Sequence, residues 1–134
     1  MSRLINHKVD DLYMKILSHF NWVSDEKQYG HDDWRSHADA IRNDKDFSDD
    51  CDGFAMTCAE LLDEMGYPTR LVLCQTIDDI WHMVCGVGVD GVWYYCDNRS
   101  RFVSTEDAFN YDWDSYIPYI MYREGLRKFF KWEE

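Results

Sequence analysis

SDDCDGFAMTCAELLDEMGYPTRLVL, residues 48–73, is the stretch from which the rest of the chain can be placed. Ser48, Asp49 and Asp50 form a short polar run of the kind that caps a helix. Phe54, Ala55, Cys58, Leu61, Leu62 and Met65 then fall on one face at helical spacing, and Gly66 with Pro68 closes the helix. Cys51 therefore sits at its first turn. Residues 69–77, TRLVLCQTI, have the β-branched and apolar content of a buried strand.

Beyond this strand, residues 81–89 and 92–97 flank an Asp90-Gly91 pair, a strong hairpin signal. With a two-residue turn there, paired positions have numbers summing to 181, so Val84 faces Asp97 and His82 faces Arg99. His82 and Asp97 then project from the same face as diagonal neighbours, roughly 7 to 8 Å apart at the backbone, within reach of a hydrogen bond. A turn of odd length would bring Asn98 to that face instead, and both Asp and Asn can orient a histidine. On the opposite face Trp81, Met83, Cys85, Val87 and Val89 meet Val92, Tyr94, Cys96 and Asn98, a set apolar enough for a core.

A thiol at a helix N-terminus feels the positive end of the helix dipole and unpaired N–H groups, which favour thiolate and can hold an oxyanion. Cys51 at a helix start, followed by His82 and Asp97 on consecutive strands, is thus a candidate nucleophile, base and orienter. Taken singly, a lone cysteine or strand histidine is more often structural. The chemistry rests on their conjunction.

Working outward toward the N-terminus, Ile5, Val9, Leu12, Ile16 and Phe20 recur at helical spacing, so residues 4–20 are expected to form an amphipathic helix. The segment 24–50 is polar and holds Trp34 among acidic residues. Toward the C-terminus, Ser104 to Asp107 reads as the capped start of a short helix. An aromatic stretch follows from Tyr111 to Trp132, with a strand expected near Tyr116 to Tyr122.

Composition bounds the function. The chain has 134 residues and 46% hydrophobic content, enough for one domain over 1–134 with a single core. Its five cysteines, at 51, 58, 74, 85 and 96, contain no CxxC pair, so neither a disulfide framework nor a zinc ribbon is signalled. The net charge of −12 argues against nucleic acid or an anionic membrane as partner. Residues 31–64 carry eleven Asp or Glu against three Lys or Arg, a solvated face or a cation site. The start MSRLINHKVDDLYMK has no secretory pattern, and a cytoplasmic location is expected, with a phage source open.

The residues already quoted resemble those of the bacterial transglutaminase-like cysteine proteinases. The segment 48–73 is similar to that family's GDCEDYA-type helix followed by Gly-x-Pro and an LRLV-type strand. WHMVCGV at 81–87 resembles its HMVL strand and WYYCDNR at 93–99 its VLDN strand. FNWVSDEKQYGHDDWRSHAD at 20–39 and YIPYIMYREGL at 116–126 resemble its flanking motifs, so the likeness covers about residues 20–127.

The resemblance implies an α+β, papain-like/transglutaminase-like fold: N-terminal helices, and the catalytic cysteine at the start of a core helix packed on an antiparallel sheet. It carries the family's catalytic residues onto Cys51, His82 and Asp97, and implies peptide-bond hydrolysis in a protein substrate. No organic cofactor is implied, but calcium is, on Asp50 and Asp52. Trp34 matches a family tryptophan, either lining the cleft or simply packing. Asp52-Gly53 stands where the family has Glu-Asp, and His37 stands near its Thr-Pro. Two other readings remain open: a cell-wall peptide amidase or acyl transferase using the same triad, and a non-catalytic binding module that keeps the fold.

Overall fold

A computed structural model describes residues 6–23 and 34–132. Helix α1 (His7–His19) begins at Asn6, whose side-chain oxygen accepts from the N–H groups of Lys8 and Val9 at 2.9 and 3.2 Å. It buries Val9, Tyr13 and Ile16, the i, i+4, i+7 stripe of an amphipathic helix. Ile5, the first member of the expected stripe, lies outside the described residues. Strand β1 (Phe20–Trp22) follows and pairs in parallel with β2 (Phe47–Asp49), reached through the short helix α2 (Ala38–Arg42).

Helix α3 (Cys51–Glu64) is the central one. Asp50 caps it by accepting the Asp52 N–H at 3.1 Å. At the other end Gly66 takes φ +94°, a left-handed conformation that costs glycine little, and the Tyr67 N–H returns to the Leu62 carbonyl. Phe54, Ala55, Cys58, Ala59, Leu61 and Leu62 are all buried against the sheet and α1. Fully burying side chains such as Phe54 or Leu62 is worth roughly 1.5–3 kcal/mol each.

The sheet has the order β5-β4-β3-β6-β7, from β3 (Thr69–Gln75), β4 (Trp81–Val89), β5 (Val92–Cys96), β6 (Asp112–Pro118) and β7 (Phe130–Lys131). All its pairings are antiparallel. Cys85 pairs with Cys96 and Val89 with Val92, the register expected from a two-residue turn. Asp90 (φ +54°) and Gly91 (φ +80°) are both left-handed, as the tight hairpin turn that matches strand twist requires.

Met83, Cys85, Val87, Val89 and Cys96 face α3 and join the main core, while Trp81 and Val92 at the ends of that row are exposed. The opposite face builds a second, aromatic layer: Val72, Cys74, Val84 and Tyr95, covered by Trp93, Phe109, Tyr111, Trp113, Tyr116 and Trp132. Arg70 lies within this layer, its guanidinium 4.0 Å from the Trp93 ring and donating to Tyr95 Oη at 2.6 Å. Its Cγ would come within 3.0 Å of any Cβ at Gly86, so that glycine is the space the arginine stem uses.

Two expected elements differ. The strand placed near Tyr116 to Tyr122 lies earlier, at Asp112–Pro118, and residues Tyr119–Arg123 form helix α4. Pro118 marks the change, because its fixed φ suits the entry to a helix and it has no N–H for a sheet. The capped helix expected from Ser104 is only a 3₁₀ turn at Glu106–Ala108, since Ser104 instead exchanges main-chain hydrogen bonds with Tyr95.

Candidate functional site

Cys51 opens α3 and lines a cleft of about 770 Å³ together with Leu17, Phe20, Trp22, Asp50, Ile80, Trp81, His82, Asn98 and Arg99. It is the single cysteine with partial exposure; Cys58, Cys74, Cys85 and Cys96 are buried. Its Sγ lies 3.6 Å from Asp52 Oδ1. The Met83 N–H, next in sequence to His82, also lies against the sulfur. Burial pushes the Cys51 thiol well above its ordinary range, and Asp52 and Asp50 add to the push, while the Met83 amide opposes it. The helix end that favours thiolate is thus opposed by desolvation and by two carboxylates.

His82 and Asp97 do meet. His82 Nε2 lies 2.8 Å from Asp97 Oδ1, both side chains being buried. This contact assigns Nε2 the role of donor to the carboxylate and leaves Nδ1 as the ring nitrogen that can take a proton. Burial alone would raise the Asp97 carboxyl. His82, the Tyr111 hydroxyl and the Arg99 N–H, all donating to it, together hold it below its ordinary range. Tyr13 of α1 donates to the Asp97 main-chain carbonyl at 2.7 Å and also to that of Ser100, tying the first helix to the turn that follows β5.

Asn98 does not take the orienting place. It lines the cleft, with its Oδ1 buried and without a hydrogen-bond partner among the described residues. Trp34 is not on the cleft; it packs on Tyr122 and Phe129, at ring distances of 5.7 and 5.8 Å.

Several contributors were not legible beforehand. Tyr111, whose hydroxyl bonds Asp97 Oδ2, was one of many aromatics in an undivided stretch. Asp49 looked like part of a capping run, yet it is wholly buried and its Oδ2 sits 2.7 Å from His37 Nε2. Its carboxylate also fills the space beside Gly53, where a Cβ would come within 2.0 Å of Oδ2. His37 stacks on Phe47 and its N–H donates to Thr57 Oγ1, which donates in turn to the Gly53 carbonyl. The two departures of this sequence from the resembled pattern, His37 and Gly53, are thus physically joined through Asp49.

Asp50, Cys51 and Asp52 can bring one ligand atom each within 4.8 Å of one another. Two hard carboxylates suit calcium, although the thiol does not, and Gly53 adds no side-chain oxygen. Asp50 and Asp52 offer carboxylate oxygens of the kind calcium takes.

A helix that begins with a cysteine, packed on an antiparallel sheet that carries a histidine–aspartate pair, is a papain-like/transglutaminase-like α+β fold. Among solved structures the chain is similar to Legionella pneumophila LapG, with a TM-score of 0.64 at 17% identity over 85% of this chain and 64% of that one. An EGTA-treated form gives 0.63 at 18% over 83% and 62%, and a calcium-bound form 0.60 at 20% over 81% and 65%. This chain therefore spans less than two thirds of those proteins' length, and the likeness is one of fold. No protein-family model matches the chain, and no curated protein matches it in sequence. No helix among the described residues is long and apolar enough to cross a membrane.

Proposed function

We propose that residues 1–134 form one domain that hydrolyses peptide bonds in a protein substrate through an acyl-enzyme, with Cys51 as nucleophile, His82 as base and Asp97 as the residue that orients it. The observation that carries this reading is the buried 2.8 Å His82–Asp97 contact beside a cleft that Cys51 also lines. The fold shared with LapG supports it.

The Cys51 proton passes to His82 Nδ1 as the sulfur attacks the substrate carbonyl carbon. Asp97 stabilises the imidazolium that forms. The tetrahedral intermediate collapses as His82 returns the proton to the leaving amine, giving a thioester. Water, deprotonated by the same nitrogen, then releases the carboxylic acid and restores the thiol. The Met83 N–H against the sulfur favours its ionised form.

Calcium, when bound by Asp50 and Asp52, would supply positive charge beside the thiol and cancel the two carboxylates that disfavour its ionisation. The calcium-bound and EGTA-treated forms of LapG give this reading its motive. Calorimetric titration is expected to show one calcium site that is lost in Asp50→Asn; absence of heat and of any melting shift on chelation overturns it.

The hydrolase reading is tested by incubating the protein and its Cys51→Ala variant with whole-cell lysates and mapping new protein termini by mass spectrometry. Termini that appear with the parent protein alone support it. Identical terminus sets for the two proteins sink it and favour a non-catalytic module.

A further inference from the structure

The four most exposed large apolar side chains among the described residues are Ile77 (73%), Trp22 (61%), Ile80 (60%) and Trp81 (57%). Three of them, Trp22, Ile80 and Trp81, line the cleft that holds Cys51 and His82, and Ile77 belongs to the turn that carries Ile80. Leu17 and Phe20 complete the apolar wall. Apolar surface left in water forgoes the stabilisation that burial would bring, so its concentration at one cleft marks a surface that something covers.

The wall is fixed relative to the reacting atoms. Trp22 is paired with Asp49 in the parallel β1–β2 ribbon, and the Val23 N–H donates to the Asp49 carbonyl at 2.9 Å, two residues before the nucleophile. Trp81 directly precedes His82 on β4. Ile80 is held outward by a closed turn in which the Thr76 N–H donates to the Ile80 carbonyl at 2.9 Å and Asp79 takes φ +60°. Each apolar group is therefore tied by main chain to Cys51 or His82 rather than carried on an unconstrained loop.

The charge around the wall has one dominant sign. Asp78 and Asp79 are exposed on the Ile77–Ile80 turn, Asp50 and Asp52 flank the nucleophile, and Arg99 is the one basic residue of the lining. The chain as a whole carries −12. A covering segment that is both apolar and basic complements this surface; an acidic one is repelled.

We infer that the cleft selects an extended protein segment that places a bulky apolar side chain against Trp22, Ile80 and Trp81 within two residues of the scissile bond, with Lys or Arg in the flanking positions. This deepens the proposed hydrolase activity and rests on it for the word scissile, but the docking itself needs no chemistry. Trp22 and Trp81 are the specificity-determining residues, and Asp78 and Asp79 tune the preference for basic flanks.

The test separates docking from cleavage. Cys51→Ala, which keeps the wall, is titrated by tryptophan fluorescence with three short, end-capped peptides: a Leu-Phe centre with Lys flanks, a Ser-Gly centre with Lys flanks, and a Leu-Phe centre with Glu flanks. Saturable binding of the first is expected, with both others about tenfold weaker or worse, and Trp22→Ala and Trp81→Ala in the same background should each weaken the first by about tenfold. Circular dichroism and melting identify any variant that has lost its fold, in which case Trp22→Leu and Trp81→Leu replace them and should bind between the two extremes. Equal binding of all three peptides, or binding of none, overturns the inference. The same peptides given to the parent protein and followed by mass spectrometry report on chemistry separately: binding without cleavage counts against the hydrolase while the docking stands, whereas cleavage indifferent to the Leu-Phe centre does the reverse.

Discussion

The molecule holds two carboxylate–histidine contacts of nearly the same length, His82–Asp97 at 2.8 Å and His37–Asp49 at 2.7 Å, and they differ in what the rest of the ring and carboxylate face. Asp97 also accepts from Tyr111 and from the Arg99 N–H, and its histidine lines a cleft that Cys51 lines too. Asp49 is sealed beneath the first turn of α3, filling the room beside Gly53, and its histidine is stacked on Phe47. Short acid–histidine distance by itself therefore says little about chemistry. What distinguishes the pairs is their setting: His82 lines a cleft that Cys51 also lines, whereas the His37 pair lies outside that cleft.

The comparison breaks most sharply under substitution at the cleft pair. His82→Ala is expected to reduce the rate of substrate cleavage by about 10³-fold or more, and Asp97→Asn by about 10²–10⁴-fold, because an amide no longer enforces the tautomer with the proton on Nε2. His37→Ala should leave the catalytic rate constant within a few-fold and act on stability instead. Initial rates on the substrate found by terminus mapping, beside melting curves for all three variants, check the split. A rate loss for His37→Ala equal to that of His82→Ala would erase the distinction.

Next in size is the effect of unsealing the second pair. Asp49→Gly removes a buried partner of His37 and should cost about 3 kcal/mol, a fall in melting temperature on the order of 10 °C. Gly53→Ala should cost a comparable amount, since its methyl group would collide with the Asp49 carboxylate. In the double variant Asp49→Gly/Gly53→Ala the collision disappears, so the two losses should fall well short of additive by chemical denaturation. Additive losses would mean that the carboxylate does not occupy that space.

A smaller effect concerns pH. Asp97 has a folded-state pKa below its ordinary 3.8, so its contribution to stability is present above that value and is lost as pH falls through the lowered one. Melting temperature measured between pH 5 and 2 should therefore fall more steeply for the parent protein than for Asp97→Asn. Cys51 has the opposite sign: its thiol is held up, so iodoacetamide labelling should be confined to Cys51, slow near neutrality and faster as pH rises past 9. Peptide mapping of the labelled protein reads this directly, and fast labelling of Cys51 at pH 7 would show that burial and the carboxylates of Asp52 and Asp50 do not hold the thiol up.

Much of this was legible in the sequence because period and parity are strong signals. The stripe Phe54, Cys58, Leu61 gave α3, and the Asp90-Gly91 turn gave the register that brings Asp97 rather than Asn98 to His82. The C-terminal third resisted because aromatic residues suit strand, helix and loop alike. There Tyr111, Trp113 and Trp132 are ordered by contact with the far face of the sheet, a tertiary fact with no local period. Asp49 resisted for a related reason: beside Ser48 and Asp50 it reads as solvated, and what buries it is the absence of a side chain at Gly53.

The left-handed pair Asp90 and Gly91 has a consequence for how this chain can vary over evolutionary time. As long as the turn stays at two residues, one residue inserted or deleted between β4 and β5 shifts every later position of β5 to the other side of the sheet, removing Asp97 from the His82 face and turning Cys96 out of the interior. Two together would restore the alternation. Among descendants that keep the chemistry, length changes in that loop should occur by even numbers, and a descendant that differs by one should carry its orienting residue at the position equivalent to Asn98.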